Sequence, residues 1–313
     1  MKAHRWITTA VAAAALGCAA SALAAYPEKN IKLIIPTPPG GGFHVYAQAV
    51  APYLAKYLGN DIKVVLENMP GSGFRRATSA LYNAKPDGYT IGLVGIGITL
   101  LPQVKGDKLD YDLHKFTWIG RLAYDGLAIG VKKDSPINSI ADLKALNRPI
   151  KWPHTQRFYP GVFAAALGYP IQVITGYKGG RDYITAVVRG DGEAFVHVPS
   201  STRGFIKSGK VKLIALFDDR YKKEFPGIPT ADDLGHPELK KVTTERLLAG
   251  PPGMPTDITQ KLVTALEKSI ADPELQAWSK KAKRPFQPLT PKGVKAVVDG
   301  QFEFFEPFKK LID

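Results

Sequence analysis

Three stretches of this sequence place glycines between a β-branched apolar run and a helix-like run, where free backbone amides could meet an anion. The first is "IIPTPPGGGFHVYAQAV", residues 34–50, with Pro38, Pro39, Gly40, Gly41 and Gly42 ahead of Phe43 and His44. A helix N-terminus presents unpaired N–H groups and the positive end of the helix dipole. Glycines let a ligand approach that backbone closely. The stretch matches neither G-x-x-x-x-G-K-[ST] nor G-x-G-x-x-G and places no lysine for a triphosphate, so a small carboxylate suits it better than a nucleotide. The second stretch, "NMPGSGFRRATSALYNA", carries Phe74, Arg75 and Arg76 at the same point. Arginine can hold a carboxylate through two parallel hydrogen bonds. The third, "ITGYKGGRDYITAVVRG", brings Tyr177, Lys178, Gly179, Gly180 and Arg181 to a strand-to-helix turn. Taken singly, each loop also reads as a plain turn, and each arginine as a solvated helix face.

Other chemistries find less support. There is no G-x-S-x-G elbow and no nucleophilic cysteine, which argues against a hydrolase. His44, His154 and His197 could converge as neutral hydrogen-bonding groups, while His114 and His236 read as surface residues. The histidines lack HExxH or finger spacing, so neither a metal site nor a cofactor is expected. Phe43, Phe74, Trp152, Phe158 and Tyr159 could stack on a flat ligand, although each is also a natural core residue.

The elements that would position these groups follow from hydrophobic patterning. "IKLIIP", "DIKVVLE" and "YTIGLVG" read as strands buried on both faces, separated by helical stretches, which makes a βαβαβ unit. A second series begins near residue 124 with "GLAIGVKK", then "SIADLKAL" with Ser139 as N-cap, and the strands "IQVITGY", "AFVHV" and "KVKLIALF". Three C-terminal helical stretches follow, one starting at Asp272-Pro273. The fold class expected is α/β.

The chain has 313 residues, 45% of them hydrophobic, enough for a large core and against global disorder. Its formal charge is +14, of which Lys2 and Arg5 supply two. The basic residues are dispersed, so no nucleic-acid partner is expected. "MKAHRW", an Ala-rich apolar run and "SALAA" have the layout of a secretory signal, with cleavage near Ala24 or Ala25. The only cysteine, Cys18, lies within it; a displaced lipoprotein box there is the alternative.

"YPEKNIKLIIPTPPGGGF", "VLENMPGSGF", "KPDGYTIGLVG", "GYKGG", "GIPTADDLG" and "LAGPPGMPTDITQKLVTALEKSIADPELQ" occur in an order that resembles the Bug/TctC family, across essentially the whole mature chain. These are the periplasmic receptors of tripartite tricarboxylate transporters. The resemblance implies a type II, Venus-flytrap periplasmic-binding-protein fold, each lobe a mostly parallel sheet flanked by helices. It implies that Pro38 to Phe43 receive a carboxylate through backbone groups and water, and that Tyr177 to Gly180 face it from the other lobe. The expected contacts are Pro38, Pro39, Gly40, Gly41, Gly42, Phe43, His44, Phe74, Arg75, Gly95, Trp152, His154, Thr155, Gln156, Tyr177, Lys178, Gly179, Gly180 and His197. The sequence departs from the family pattern at Phe43-His44, at Gly73 to Arg76 and at "KWPHTQRFYPG", where an acid is lost and cations and aromatics are gained. An amino-acid ligand is therefore disfavoured.

The function expected is capture of a carboxylate, an aromatic mono- or dicarboxylate foremost and an aliphatic di- or tricarboxylate as the alternative. Delivery would be to a two-component permease, or the loaded receptor would signal to a membrane kinase. The segments expected are a signal at 1–25, one lobe at 26–123 with 244–313, and the other at 124–243. The hinge would lie near 120–125 and 242–250. A monomer is expected.

Overall fold

The computed structural model describes residues 26–59 and 61–311. The expected signal segment and Cys18 lie outside them. The first half of the chain alternates strand and helix: β1 (Ile31–Ile35), α1 (Gly42–Leu58), β2 (Val64–Asn68), α2 (Arg75–Tyr82), β3 (Thr90–Val94) and α3 (Ile96–Lys105). A long strand, β4 (Thr117–Gly126), runs through Leu127 into β5 (Ala128–Lys132). The second series is α4 (Ile140–Ala145), β6 (Ile150–Pro153), α5 (Phe158–Leu167), β7 (Ile171–Ile174), α6 (Gly180–Arg189), β8 (Ala194–His197), α7 (Pro199–Lys207) and β9 (Val211–Leu216). The chain then returns through β10 (Thr243–Gly250) to α8 (Thr256–Ala271), α9 (Pro273–Ala282) and α10 (Pro291–Phe305).

The first sheet has the order β2-β1-β3-β10-β4. β1 is parallel to both neighbours, with Leu33 opposite Leu66 and Ile91, and its apolar run is buried on both faces as expected. β10 is antiparallel to β3 and β4. β5 lies between β8 and β9 and is antiparallel to each, while β6 and β7 form a parallel pair beside them. The backbone N–H of Glu193, just before β8, donates to Lys151 O in β6 at 2.8 Å. The α/β class holds, but among the described residues of this second half β6–β7 is the one parallel pair of strands, beside a single parallel bridge from Leu216 to Thr230. The reason is connectivity: β5 continues directly from β4, whereas β8 and β9 each arrive from a helix and run the other way.

Packing follows the same division. α1 and α8 cover one face of the first sheet, burying Val50 and Leu54 with Leu262 and Leu266. α6 covers the β5 strands with Tyr183, Ile184 and Val187. A third cluster bridges the two halves, from Leu81 and Leu100 to Phe163 and Phe217. There the Phe158 and Phe305 rings meet at 4.6 Å, and Tyr159 OH donates to Thr243 O at 2.9 Å. Helix starts follow the sequence signals. Ser139 and Asp142 form a reciprocal capping box, and Asp272 accepts from Glu274 N–H ahead of Pro273.

Candidate functional site

The first glycine loop is braced by its own backbone. Gly41 N–H donates to Pro38 O at 3.0 Å, and Gly40 takes a left-handed φ of +77°. The first helical bond of α1 is Val45 N–H to Gly41 O, so the amides of Gly42, Phe43 and His44 form the unpaired tip. Asn68 at the end of β2 donates to Thr37 O at 2.6 Å and pairs with His44 Nδ1 at 3.1 Å. His44 thus steadies the loop from behind. A Cβ on Gly41 would lie 2.8 Å from Thr37 Cβ and Oγ1, so that glycine serves the loop's own packing. A Cβ on Gly42 would instead lie 3.2 Å from Ser201 Oγ in α7 and 3.6 Å from Arg246 Nη2 in β10.

The second loop backs the first. The Phe43 and Phe74 rings meet edge to face at 5.2 Å, and a Cβ on Gly95 would strike both. Phe74 reaches this position through a left-handed φ of +69°. Arg75 and Arg76 are exposed at the start of α2, and Arg75 Nε donates to Ser72 O at 3.2 Å.

From the other side, Gly179 is buried against this assembly: a Cβ there would lie 3.4 Å from Pro38 Cδ. Gly73 approaches Gln156 in the same way, 3.6 Å from its Cβ. Two loops of the first sheet therefore touch two loops of the second half. Gly180 packs directly on the His197 imidazole. His197 Nδ1 lies 2.6 Å from Tyr183 OH, and the His154 ring lies 4.6 Å from the Tyr183 ring. Burial pushes His154 down to about 4. Burial, then the charges of His154, Arg246 and Arg284, push His197 down to about 3. Both are neutral near pH 7, as hydrogen-bonding groups.

One expected contact lies elsewhere. Trp152 has no exposed surface and stacks on Tyr169 at 5.8 Å, inside the core. The alternation of β6 explains it, since Ile150 and Trp152 point inward while Lys151 is exposed. Phe158 and Tyr159 are taken up by the packing between the halves. Pro39, Gly40, Lys178, Arg157 and Arg181 are exposed, and Thr155 and Tyr177 are half-buried. The residues brought together are Pro38, Gly42, Phe43, Phe74, Gly95, Gln156, Gly179, Gly180 and His197.

The loops also collect groups that loop-based reading overlooks. Thr37 Oγ1, Ser201 Oγ and Gln156 Nε2 are buried without a hydrogen-bond partner among the described residues. Arg246, on β10, is 1% exposed and pairs with Asp125 on β4 at 2.8 Å. Its guanidinium lies over the Phe43 and Tyr46 rings at 5.5 and 4.6 Å. The one available signal was the charged pair Glu245-Arg246 inside "TTERLLAG", which marks a buried strand only once its partners Arg121 and Asp125 are known.

Residues 46–292 match the tripartite tricarboxylate transporter family receptor, TctC. The chain belongs to this family. It is thus a TctC-family solute-binding protein, and not an enzyme. A Cupriavidus necator protein encoded in the gbd 5′ region is 28% identical over 282 residues, covering 84% of this chain and 83% of the relative. The structure of the periplasmic binding protein BugD is 26% identical, covers 91% of this chain and 98% of its own, and superposes with a TM-score of 0.80. MatC from Rhodopseudomonas palustris, solved with bound malate, covers 92% of this chain and all of its own at 19% identity and a TM-score of 0.79. A second R. palustris protein, solved with adipate, is also 19% identical, covers 92% and 98%, and has a TM-score of 0.78. The shared fold is the two-lobed type II periplasmic-binding-protein fold. Among the described residues, no helix is long and apolar enough to cross a membrane.

Proposed function

We propose that this receptor captures a small carboxylate in the periplasm, between the Pro38–Phe43 loop and the Gly179–Gly180 turn, and delivers it to a two-component permease. The carrying observation is the meeting of Pro38 with Gly179, beside buried Thr37 and Ser201 hydroxyls that have no partner among the described residues. Buried polar groups of that kind call for a ligand or water. One carboxylate would sit on the amides at the tip of α1, where the helix dipole favours it. Export would follow from the N-terminal signal-like segment.

An aliphatic acid suits the site better than an aromatic one. Trp152, Phe158 and Tyr159 are spent in the core, and Phe43 and Phe74 pack on each other. The malate and adipate bound by the two R. palustris proteins are of that aliphatic class. The lobes would be 26–123 with 244–313, and 124–243, closing about the paired strands β4 and β10. Binding would favour the closed arrangement by contacts to both lobes. Native mass spectrometry of protein purified without refolding, followed by calorimetry with C3–C6 aliphatic and benzoate-type acids, tests this. Preference for the aromatic acids would refute the aliphatic assignment, and no binding of any acid would refute the receptor reading.

A further inference from the structure

The arginines nearest the glycine loops and the Trp152 segment in sequence, Arg75, Arg76, Arg157 and Arg181, are all exposed. The interior holds a different candidate. Arg246 uses Nη2 on Asp125, while its Nε and Nη1 have no partner among the described residues. Asp125 also accepts from Ser200 Oγ at 3.1 Å and Tyr221 OH at 2.7 Å. Arg284 also lies over Tyr46, 5.9 Å from its ring, and its Nη1 is buried and unpartnered among the described residues. Arg121, Arg203 and Arg220 each have their own carboxylate, in Glu245, Glu224 and Asp218. Five arginines thus face four carboxylates, and Arg284 has no ion-pair partner among the described residues, which leaves one positive charge in a partly buried place. Ser201 Oγ, also unpartnered, completes the set next to Gly42.

Resting on the receptor reading above, we propose that Arg246, with Ser201 and Arg284, is the subsite for a second anionic group of the captured molecule. The guanidinium flanks the Phe43–Tyr46 face of α1, beside the tip whose amides take the first carboxylate. The two anion positions are adjacent but separate. A buried guanidinium with Nε and Nη1 open offers an anionic group charge-assisted hydrogen bonds from two separate donors, and an anion there neutralises the surplus charge. A monoacid would leave those donors unmet, so the site discriminates by charge count as well as by length.

The test is calorimetric titration of the mature protein with malonate, succinate, glutarate and adipate, each against the monoacid of equal chain length. Arg246→Lys keeps a cation for Asp125 and removes the Nε and Nη1 donors; Ser201→Ala and Arg284→Gln leave the Asp125 pair intact. The wild type is expected to favour one diacid over its monoacid by at least 100-fold. Arg246→Lys should cut that ratio at least tenfold with monoacid affinity within threefold, and Ser201→Ala and Arg284→Gln should cut it less. Melting curves establish folding, and if Arg246→Lys does not fold, the other two variants carry the test. An unchanged ratio, or equal loss for mono- and diacid, overturns the subsite and leaves the receptor reading standing. A wild type that binds no acid overturns both.

Discussion

Replacing Asp125 by Asn should be among the most destabilising single changes available in this chain. Asp125 and Arg246 are each 1% exposed. Taking two charges out of water is costly, and their attraction offsets the cost only while both are present. Removing one partner of such a pair costs about 3–5 kcal/mol, because the other charge stays buried and unpaired. The carboxylate also accepts from three side chains, Arg246, Ser200 and Tyr221, and the Asn amide turns an NH2 toward one of those donors. At roughly 2–4 °C per kcal/mol for a chain of this size, the melting temperature should fall by about 6–20 °C. The assay is thermal unfolding followed by circular dichroism at pH 7, with Lys295→Ala as control. That lysine pairs with Asp299 at 2.9 Å in an exposed setting, 64% and 41%, so its loss should cost no more than about 0.5 kcal/mol. A penalty below about 1 kcal/mol for Asp125→Asn would mean that water reaches the pair, and the argument from burial would fail.

Other outcomes follow from the same geometry. His154 and His197 fall to about 4 and about 3 in the folded protein. Unfolded histidines titrate near 6.5, so the unfolded state binds more protons below that pH. Stability should be full above about pH 6.5 and fall as the pH drops toward about 4, by up to roughly 1.4 kcal/mol per pH unit for each histidine; His197→Gln should flatten the slope in denaturant titrations across that window, and an unchanged slope would refute the assignment. Gly42→Val pushes a side chain at Ser201 and Arg246 and should weaken carboxylate binding by about 1–3 kcal/mol, read by calorimetry, with little change in melting temperature. Gly41→Val should instead lower the melting temperature, because its Cβ would strike Thr37. Tyr183→Phe removes the hydroxyl shared by Val196 O and His197 Nδ1 and should cost about 1–2 kcal/mol in chemical denaturation.

The β1–loop–α1 unit was legible because each part carries a local signal: an apolar run, turn residues, then helical spacing. The same holds for the Ser139 box and the Asp272-Pro273 start. β10 was not legible, since Glu245 and Arg246 look like solvated charges until β4 supplies Arg121 and Asp125 from more than a hundred residues away. Its neighbour β4 was missed for a related reason, because Arg121 and Asp125 interrupt its apolar pattern. Trp152, Phe158 and Tyr159 were drawn to the ligand by their nearness in sequence to a loop. Strand alternation at Ile150 and Trp152, and the helical spacing of Phe158, Val162 and Phe163, pointed inward instead. The cations followed the same logic. Those beside glycine loops in the sequence are exposed, and the one beside the loop in space comes from a distant strand.

The contact between Pro38 and Gly179 has a practical use. The chain's only cysteine is Cys18, in the segment expected to be removed, so the mature protein is a blank for thiol chemistry. Pro39 and Lys178 are exposed and flank that contact from its two sides. Cysteines placed there would carry a pair of spin labels or a donor and acceptor dye with no background labelling. The distance between the two probes would then act as a ruler laid across the proposed binding site, reporting whether the two sides part and meet as ligand is added.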